Sequence, residues 1–409
     1  MSVFQNIVHR FDDLKSLMKL KDEEIKYLLE PQKVSSANLK IDGQEFPAWR
    51  IISNQALGPG KGGIRFHPGV NEDEVKSLSF WMSLKNSLLE LPYGGAKGGV
   101  QFNPKDHDEA FLEKVSRAYI DAFYQVLGQD KDIPAPDVYT NSQIMSWMLD
   151  QYEKNIGEHQ PGMITGKPVE LGGIALRSDA TAKGAYFVIK ELIKTLEIEN
   201  KKLTVAIQGF GNAGLNIAKM MYEGDFEIVA VNDSKGGIYN QAGINITELI
   251  KFKEEYGVVS AFSDYQAISN DELLEAEVDI LILGALENQI TQENAKNIKA
   301  KYIIEIANGP VSYEADKVLF EKGIIVVPDI LANSGGVLVS YFEWSQNRTG
   351  NILDEDYLIK LFKDKMVQAF HNVYNKYLEF DKKIDLRTSA YILALSRIIK
   401  AEKLRGRIK

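Results

Sequence analysis

The apolar positions of this chain change character between Thr165 and Gly173 and again after Ser340. In the first stretch, Phe46 to Ile52 has the alternating pattern of a strand, and longer runs repeat with the spacing of amphipathic helices. Asn71 followed by Glu72, Asp73 and Glu74 predicts a helix start, because the asparagine side chain caps free amides and the carboxylates suit the positive end of the helix dipole. That helix should run to about Leu89, ahead of Pro92, with further helices over Asp108 to Leu127 and Ser142 to Tyr152. Strands and helices mixed in this way predict an α+β domain with an antiparallel or mixed sheet.

The Gly- and Pro-containing stretch from Thr165 to Gly173 reads as a hinge. Beyond it, Leu203 to Gln208, Glu227 to Val231, Val278 to Leu283, Tyr302 to Ile306 and Ile324 to Val327 are short apolar runs separated by amphipathic segments. Continuous apolar strands of this kind predict a doubly wound parallel sheet covered on both faces. After Ser340 the pattern is helical, over Asp356 to Phe380 and Thr388 to Leu404, and these helices should pack back across the domain boundary. The expected class is α/β, with a first domain over 1–170, a Rossmann-like domain over 171–345 and returning C-terminal helices over 346–409.

With 409 residues, 44% hydrophobic and 26% charged, the chain has the balance of a folded globular protein with room for two cores. A net charge of -9 gives no general attraction to phosphate backbones or anionic lipid, so neither nucleic acid nor a membrane is an expected partner. The longest apolar runs fall far short of the roughly 20 residues that span a bilayer. The absence of cysteine excludes disulfides, thiolate nucleophiles and Cys-ligated metal, and with no export signal in the first residues a reducing cytoplasm is expected. The five histidines show no metal-ligand spacing, and no metal is expected.

The first chemical signal is Gly209-Phe210-Gly211-Asn212-Ala213-Gly214, a G-x-G-x-x-G directly after a strand and opening a helix that runs through Tyr222. Gly209 permits the tight turn, Gly211 the approach of a pyrophosphate, and Gly214 close packing of the helix, whose N-terminus favours the phosphates. The next strand ends at Asp233, 19 residues after Gly214, where a carboxylate would accept hydrogen bonds from the adenosine ribose. A nicotinamide dinucleotide is the expected cofactor. Asp233 leans toward NAD, while Lys235 with Ser234 and the Gly236-Gly237 turn could accommodate the 2'-phosphate of NADP.

The second signal is a set of lysines. Lys61 lies in Gly60-Lys61-Gly62-Gly63, Lys97 in Gly94-Gly95-Ala96-Lys97-Gly98-Gly99, and Lys85 near the end of the helix that begins at Asn71. Glycines on both sides let an ammonium crowd a small ligand, although any one of these lysines alone reads first as a solvated loop lysine. If the three converge, each ammonium favours deprotonation of its neighbours, and desolvation adds to the effect. Bringing a lysine from about 10.4 into the working range of a base costs roughly 3 to 4 kcal/mol. Asp137, behind Pro134 and Pro136, is presented rigidly and is the matching acid, unless it merely caps the helix at Ser142. A lysine paired with a carboxylate suits chemistry at a carbon bearing an amino group.

These segments resemble one family. Gly58 to Pro68, Leu91 to Gly99, Asp132 to Asp137, Gly209 to Gly214 and Ser340-Tyr341-Phe342-Glu343-Trp344 are similar, in order and spacing, to the glutamate dehydrogenases of the amino-acid dehydrogenase superfamily, over essentially the whole chain. The resemblance implies reversible oxidative deamination of L-glutamate to 2-oxoglutarate and ammonium, with NAD or NADP, in a homohexamer assembled through the first, substrate-binding domain. By carry-over, Lys85 would hold the α-carboxylate and Lys61 with Ser340 the side-chain carboxylate. Lys97 would activate water against the imino intermediate, and Asp137 would shuttle protons. Thr181, Asn212, Asn308 and Asn333 would contact the cofactor or line the cleft between domains. Gly284 and Ile306 depart from the family's usual proline and glycine. Lys61 argues against the leucine, valine and phenylalanine dehydrogenases of the same superfamily, which typically carry an apolar residue there. The alternatives are one of these leucine, valine or phenylalanine dehydrogenases, or a non-catalytic dinucleotide-binding regulatory subunit.

Overall fold

Asn71 caps the helix Glu72–Leu88 as its position requires, its Oδ1 accepting the Glu74 amide at 3.0 Å. This helix packs on a five-stranded sheet made of β1 (Lys33–Ile41), β2 (Gln44–Asn54), β3 (Gly60–Phe66), β4 (Gly95–Val100) and β5 (Asp132–Pro136), in the order β1-β2-β4-β3-β5. The computed structural model describes residues 3–198, 202–262 and 264–408. The sheet is mixed: β1, β2 and β4 run antiparallel, and β3 pairs in parallel with both β4 and β5. Asp42 and Gly43 close the β1–β2 hairpin with φ of 50° and 82°, both left-handed, as a two-residue primed turn demands.

Two of these strands lie where the sequence reads as glycine-rich loop. The reason is steric. A Cβ on Gly62 would fall 1.6 Å from the Ala96 carbonyl oxygen, and one on Gly95 would fall 2.2 Å from the Ser83 amide nitrogen. Only glycine lets β3 press on β4, and β4 on the helix, so the weak strand propensity of glycine is overridden by packing. The prolines of β5 are tolerated because β5 is an edge strand.

The chain divides into two compact units: Met1–Ser178 with Val337–Lys360 and Tyr391–Lys409, and Asp179–Gly336 with Leu361–Ala390. The C-terminal helices are thus shared between them. Within the first unit, the end of the helix Leu386–Leu404 is tied to Glu72–Leu88 by Trp81 Nε1 donating to Tyr391 Oη (3.1 Å) and Ser87 Oγ donating to the Ala394 carbonyl (2.7 Å). The segment Thr165 to Gly173 lies inside this unit.

The second unit holds a seven-stranded sheet of β6 (Thr204–Gln208), β7 (Glu227–Asp233), β8 (Gly236–Tyr239), β9 (Gln266–Ile268), β10 (Ile280–Leu283), β11 (Tyr302–Glu305) and β12 (Ile325–Val327), in the order β12-β11-β10-β6-β7-β8-β9. Strands β12 through β7 are parallel, and β8 and β9 extend one edge in antiparallel fashion. All four residues of β10 are buried, as expected of a strand covered on both faces. The fold is the α/β arrangement expected, a mixed-sheet α+β part and a doubly wound Rossmann-like part, with the antiparallel edge an addition. Neither β8, which opens on two glycines, nor β9, with only three residues, carries enough pattern to be read. Among the described residues, no helix is long and apolar enough to cross a membrane.

Candidate active site

All three singled-out lysines are inside the first unit, with relative exposures of 1% for Lys61, 7% for Lys85 and 4% for Lys97. They are not solvated loop lysines. Lys61 sits on β3 and Lys97 on the adjacent β4, while the helix bearing Lys85 packs directly on β4.

Lys97 Nζ donates to Asp137 Oδ1 at 2.8 Å. The other carboxylate oxygen of Asp137 accepts from Arg65 Nε at 2.8 Å, and its backbone amide donates to Thr140 Oγ1 at 2.7 Å. Gly63 makes room for it, since a Cβ there would lie 2.8 Å from that of Asp137. Burial pushes the Asp137 carboxyl up, but Lys97 and Arg65 more than offset this and hold it well below the usual carboxylate range. Burial also pulls Lys97 below the ordinary lysine value, with Asp137 opposing and Arg65 adding to the fall.

Lys61 Nζ donates to the carbonyl oxygens of Ile133 (3.3 Å) and Pro134 (3.1 Å) and to Thr165 Oγ1 (2.8 Å). Burial is the first cause that brings it well below the ordinary lysine value, followed by the guanidinium groups of Arg177 and Arg50, against Glu343 and Asp132. The expected mutual depression among lysines is therefore corrected. Burial dominates, and the like charges come from arginines.

Arg177, Glu343 and Lys167 were not singled out by sequence. Glu343 is fully buried on the helix Gly335–Thr349, one turn beyond the buried Ser340. Its Oε1 accepts from Lys167 Nζ at 2.7 Å and its Oε2 from the Gly166 amide at 2.8 Å, which fixes the segment bearing Thr165 and so the partner of Lys61. The Nε of Arg177 is buried without a hydrogen-bond partner. It is a cationic donor with capacity to spare, as an anion site requires. No local pattern announces it; the signal would be an arginine between glycines and the Asp179-Ala180-Thr181 motif.

In the second unit, Gly209 adopts φ of 88°, and a Cβ there would strike the Gly284 backbone at 2.8 Å. A Cβ on Gly214 would fall 1.8 Å from the Gly209 oxygen, whereas Gly211 faces open space. The turn is thus tight behind and open in front, at the N-terminus of the helix Asn212–Glu223. Asn232 Oδ1 accepts the Gly209 amide (2.8 Å) and supports the turn from beneath. Asp233, at the end of β7, accepts from the amides of Lys235 and Val259 (both 2.9 Å) and from Lys253 Nζ (3.4 Å). Lys253 also donates to the Phe210 carbonyl at 2.7 Å and joins Asp233 to the turn. Thr181 lies in the first turn of the helix Ala180–Thr195. Asn333 Nδ2 donates to Asn308 Oδ1 and to the Ala307 carbonyl, both at 3.0 Å, and its own Oδ1 is buried without a partner. Gly284 and Ile306 form a complementary pair, since a Cβ at 284 would meet Ile306 Cδ1 at 2.9 Å.

These features fit a dinucleotide: an open Gly211, a helix N-terminus for phosphates, and a buried acceptor on Asn333 for an amide donor. Among the described residues no group of side chains could hold a metal ion.

Residues 172–406 match the family model Glutamate/Leucine/Phenylalanine/Valine dehydrogenase, and residues 31–154 match Glu/Leu/Phe/Val dehydrogenase, dimerisation domain. The chain belongs to the glutamate/leucine/phenylalanine/valine dehydrogenase family. Its relatives within this family include an NADP-specific glutamate dehydrogenase of a Synechocystis species, 45% identical over 92% of this chain and 89% of that one. A cryptic catabolic NAD-specific glutamate dehydrogenase of Bacillus subtilis is 43% identical over 98% and 95% of the two chains. Among solved structures, the hetero-hexameric glutamate dehydrogenase of Thermus thermophilus, in its Leu-bound form, superposes with a TM-score of 0.92 at 30% identity, covering 99% of this chain and 98% of that one. That of Peptoniphilus asaccharolyticus gives 0.85 at 38% identity, covering both chains fully.

Proposed function

We propose that this dehydrogenase oxidatively deaminates L-glutamate to 2-oxoglutarate and ammonium, reversibly, with NAD or NADP. The observation that carries the choice of a diacid is Lys61, a buried lysine on β3, with the Arg177 guanidinium, whose Nε has no hydrogen-bond partner, acting on it electrostatically. Burying a second carboxylate without such a partner would cost several kcal/mol. In this reading Lys61 and Ser340 hold the side-chain carboxylate and Lys85 holds the α-carboxylate. Asp137 takes a proton from the amino group, so that the nitrogen lone pair can form the imine. Lys97, brought toward neutrality by burial, then removes a proton from the water that adds to the imino carbon. Asp137 returns a proton to the departing nitrogen, and the new hydroxyl gives up its own proton to it as the carbonyl forms and the C–N bond breaks, so that the nitrogen leaves as ammonium.

The chemistry that a bound coenzyme would supply is an acceptor for the hydride of the substrate Cα. The Gly209, Gly211 and Gly214 turn with Asn212 would hold its phosphates, Asp233 its ribose, and Thr181, Asn308 and Asn333 its nicotinamide end. The first unit is then the substrate and assembly part and the second the dinucleotide part. A homohexamer is supported by the match of 31–154 to a dimerisation domain and by the hexameric assembly of the Thermus relative; light scattering tests it. A cytoplasmic location suits a chain with no cysteine to oxidise, and cell fractionation checks it.

The experiment is a set of initial rates of the purified full chain with glutamate, leucine, valine and phenylalanine, each with both coenzymes. Glutamate should exceed the others in kcat/KM. A preference for an apolar substrate would overturn the diacid reading, and coenzyme binding without turnover on any of them would indicate a regulatory subunit.

A further inference from the structure

One guanidinium in the second unit faces three carboxylates that the reaction does not use. Arg387, on the helix Leu386–Leu404, donates through Nε to Asp316 Oδ2 (2.8 Å), through Nη1 to Glu305 Oε2 (2.8 Å) and Asp329 Oδ1 (3.2 Å), and through Nη2 to Glu305 Oε1 (2.5 Å) and Asp316 Oδ1 (3.2 Å). Glu305 ends β11, Asp316 lies on the helix Tyr313–Glu321, and Asp329 opens the short helix Asp329–Ala332. All four side chains are buried. One positive charge against three negative ones is a poor arrangement for stability alone, since buried ion pairs rarely recover their desolvation and here two anions exceed the cation.

The cluster reaches the coenzyme wall through one residue. Asp329 Oδ1 accepts from Arg387 and from the Ile330 amide (2.8 Å), while Oδ2 accepts the Gly309 amide at 2.9 Å. Gly309 has φ of 55° and directly follows Asn308. The Asp329 carbonyl accepts the Asn333 amide at 3.1 Å, and Asn333 binds Asn308 and Ala307. A single aspartate therefore pins both sides of the turn 307–309: Gly309 through its side chain and Asn333 through its backbone. Glu305 adds to the hold by accepting the Asp329 amide at 2.8 Å.

We infer that Arg387 is a positioning residue for coenzyme binding: by neutralising Asp329 and holding Glu305 beside it, it keeps the Asp329 carboxylate on the Gly309 amide and fixes the turn that presents Asn308 and Asn333. The inference rests on the reading that these two asparagines face the nicotinamide end. The excess of negative charge is relieved at Glu305, which burial pushes up to about 7 in spite of Arg387, with Asp329 and Asp316 reinforcing the rise.

The test uses the full chain and reduced-coenzyme fluorescence. Asp329→Asn preserves shape but replaces one acceptor oxygen by a donor. It should weaken coenzyme affinity about tenfold, as losing a charged hydrogen bond does, and leave KM for glutamate within about twofold at saturating coenzyme. Arg387→Lys, which keeps a cation but loses the fork, should give a smaller shift in the same direction, with faster amide hydrogen exchange over residues 305–312. Unchanged coenzyme affinity in folded Asp329→Asn overturns the inference, as does equal weakening of coenzyme and glutamate. If Asp329→Asn does not accumulate, unchanged exchange over 305–312 in Arg387→Lys overturns it. Its failure is separable from failure of the glutamate reading, because the wild type would still turn over glutamate normally.

Discussion

Lys97 and Asp137 meet at 2.8 Å, and Arg65 closes on the opposite oxygen of the same carboxylate at the same distance. The aspartate is thus shared between two cations, one whose hold on its proton is weakened by burial and one that keeps its proton throughout. Arg65 has two effects: it steadies Asp137, and its charge lowers Lys97. The pairing gives a proton a direct path between the two groups assigned to acid and base work.

The sign of the Arg65 effect can be measured. Since Lys97 must lose its proton to activate water, kcat/KM for glutamate oxidation should rise with pH through an ionisation below the ordinary 10.5. Replacing Arg65 by Met removes a charge that favours the neutral amine, so the same rise should move to higher pH. A profile that stays in place, or moves to lower pH, would remove Arg65 from this role.

Lys61→Leu should lower kcat/KM for glutamate by roughly a hundredfold or more, the effect of leaving a buried carboxylate without its partner, and should improve the relative rate with leucine. Unaltered glutamate kinetics in this variant would mean that Lys61 does not read the side-chain carboxylate.

Glu343→Gln tests the support behind Lys61. Loss of the buried Lys167–Glu343 pair should cost about 3–5 kcal/mol of stability, seen in denaturant unfolding. Glu343 also raises Lys61, so without it Lys61 should lose its proton at lower pH, and KM for glutamate should climb more steeply as pH rises. Wild-type stability together with a wild-type KM profile would contradict both roles.

What the sequence disclosed and what it withheld divide along physical lines. Features carried by neighbouring residues were legible: the Asn71 cap, the apolar parallel strands, and the Gly209 turn with Asp233 at the end of the next strand. Features that depend on distant partners were not. Glu343 lies 176 positions from Lys167, and nothing near either announces a buried ion pair. Arg177 looks like an ordinary residue until burial removes its water. Arg65 stood within a recognised motif with no task, because its partners Asp137 and Glu74 come from other elements. The glycine-rich segments around Lys61 and Lys97 pointed to crowding but not to strands, since only the neighbouring strand and the packed helix show why a side chain has no room.

Glu305 makes a prediction about stability. Its folded value, raised from 4.5 to about 7, favours the neutral acid, so its contribution is fully present below pH 4.5 and is lost as pH rises through 7. Between about pH 5 and 8 the wild type should lose stability, on the order of 3 kcal/mol from this group, and Glu305→Gln should flatten that dependence. Urea unfolding across this range is the check, and identical pH dependence in the two proteins would refute it.

The most direct measurement is reduced-coenzyme formation from glutamate by the wild type and by Lys97→Ala, with coenzyme affinity determined in parallel. The wild type should turn over. Lys97→Ala should lose at least about a thousandfold in kcat, as removal of a general base does, with coenzyme affinity unchanged. Near-normal turnover in Lys97→Ala would contradict the assignment of this buried amine as the base.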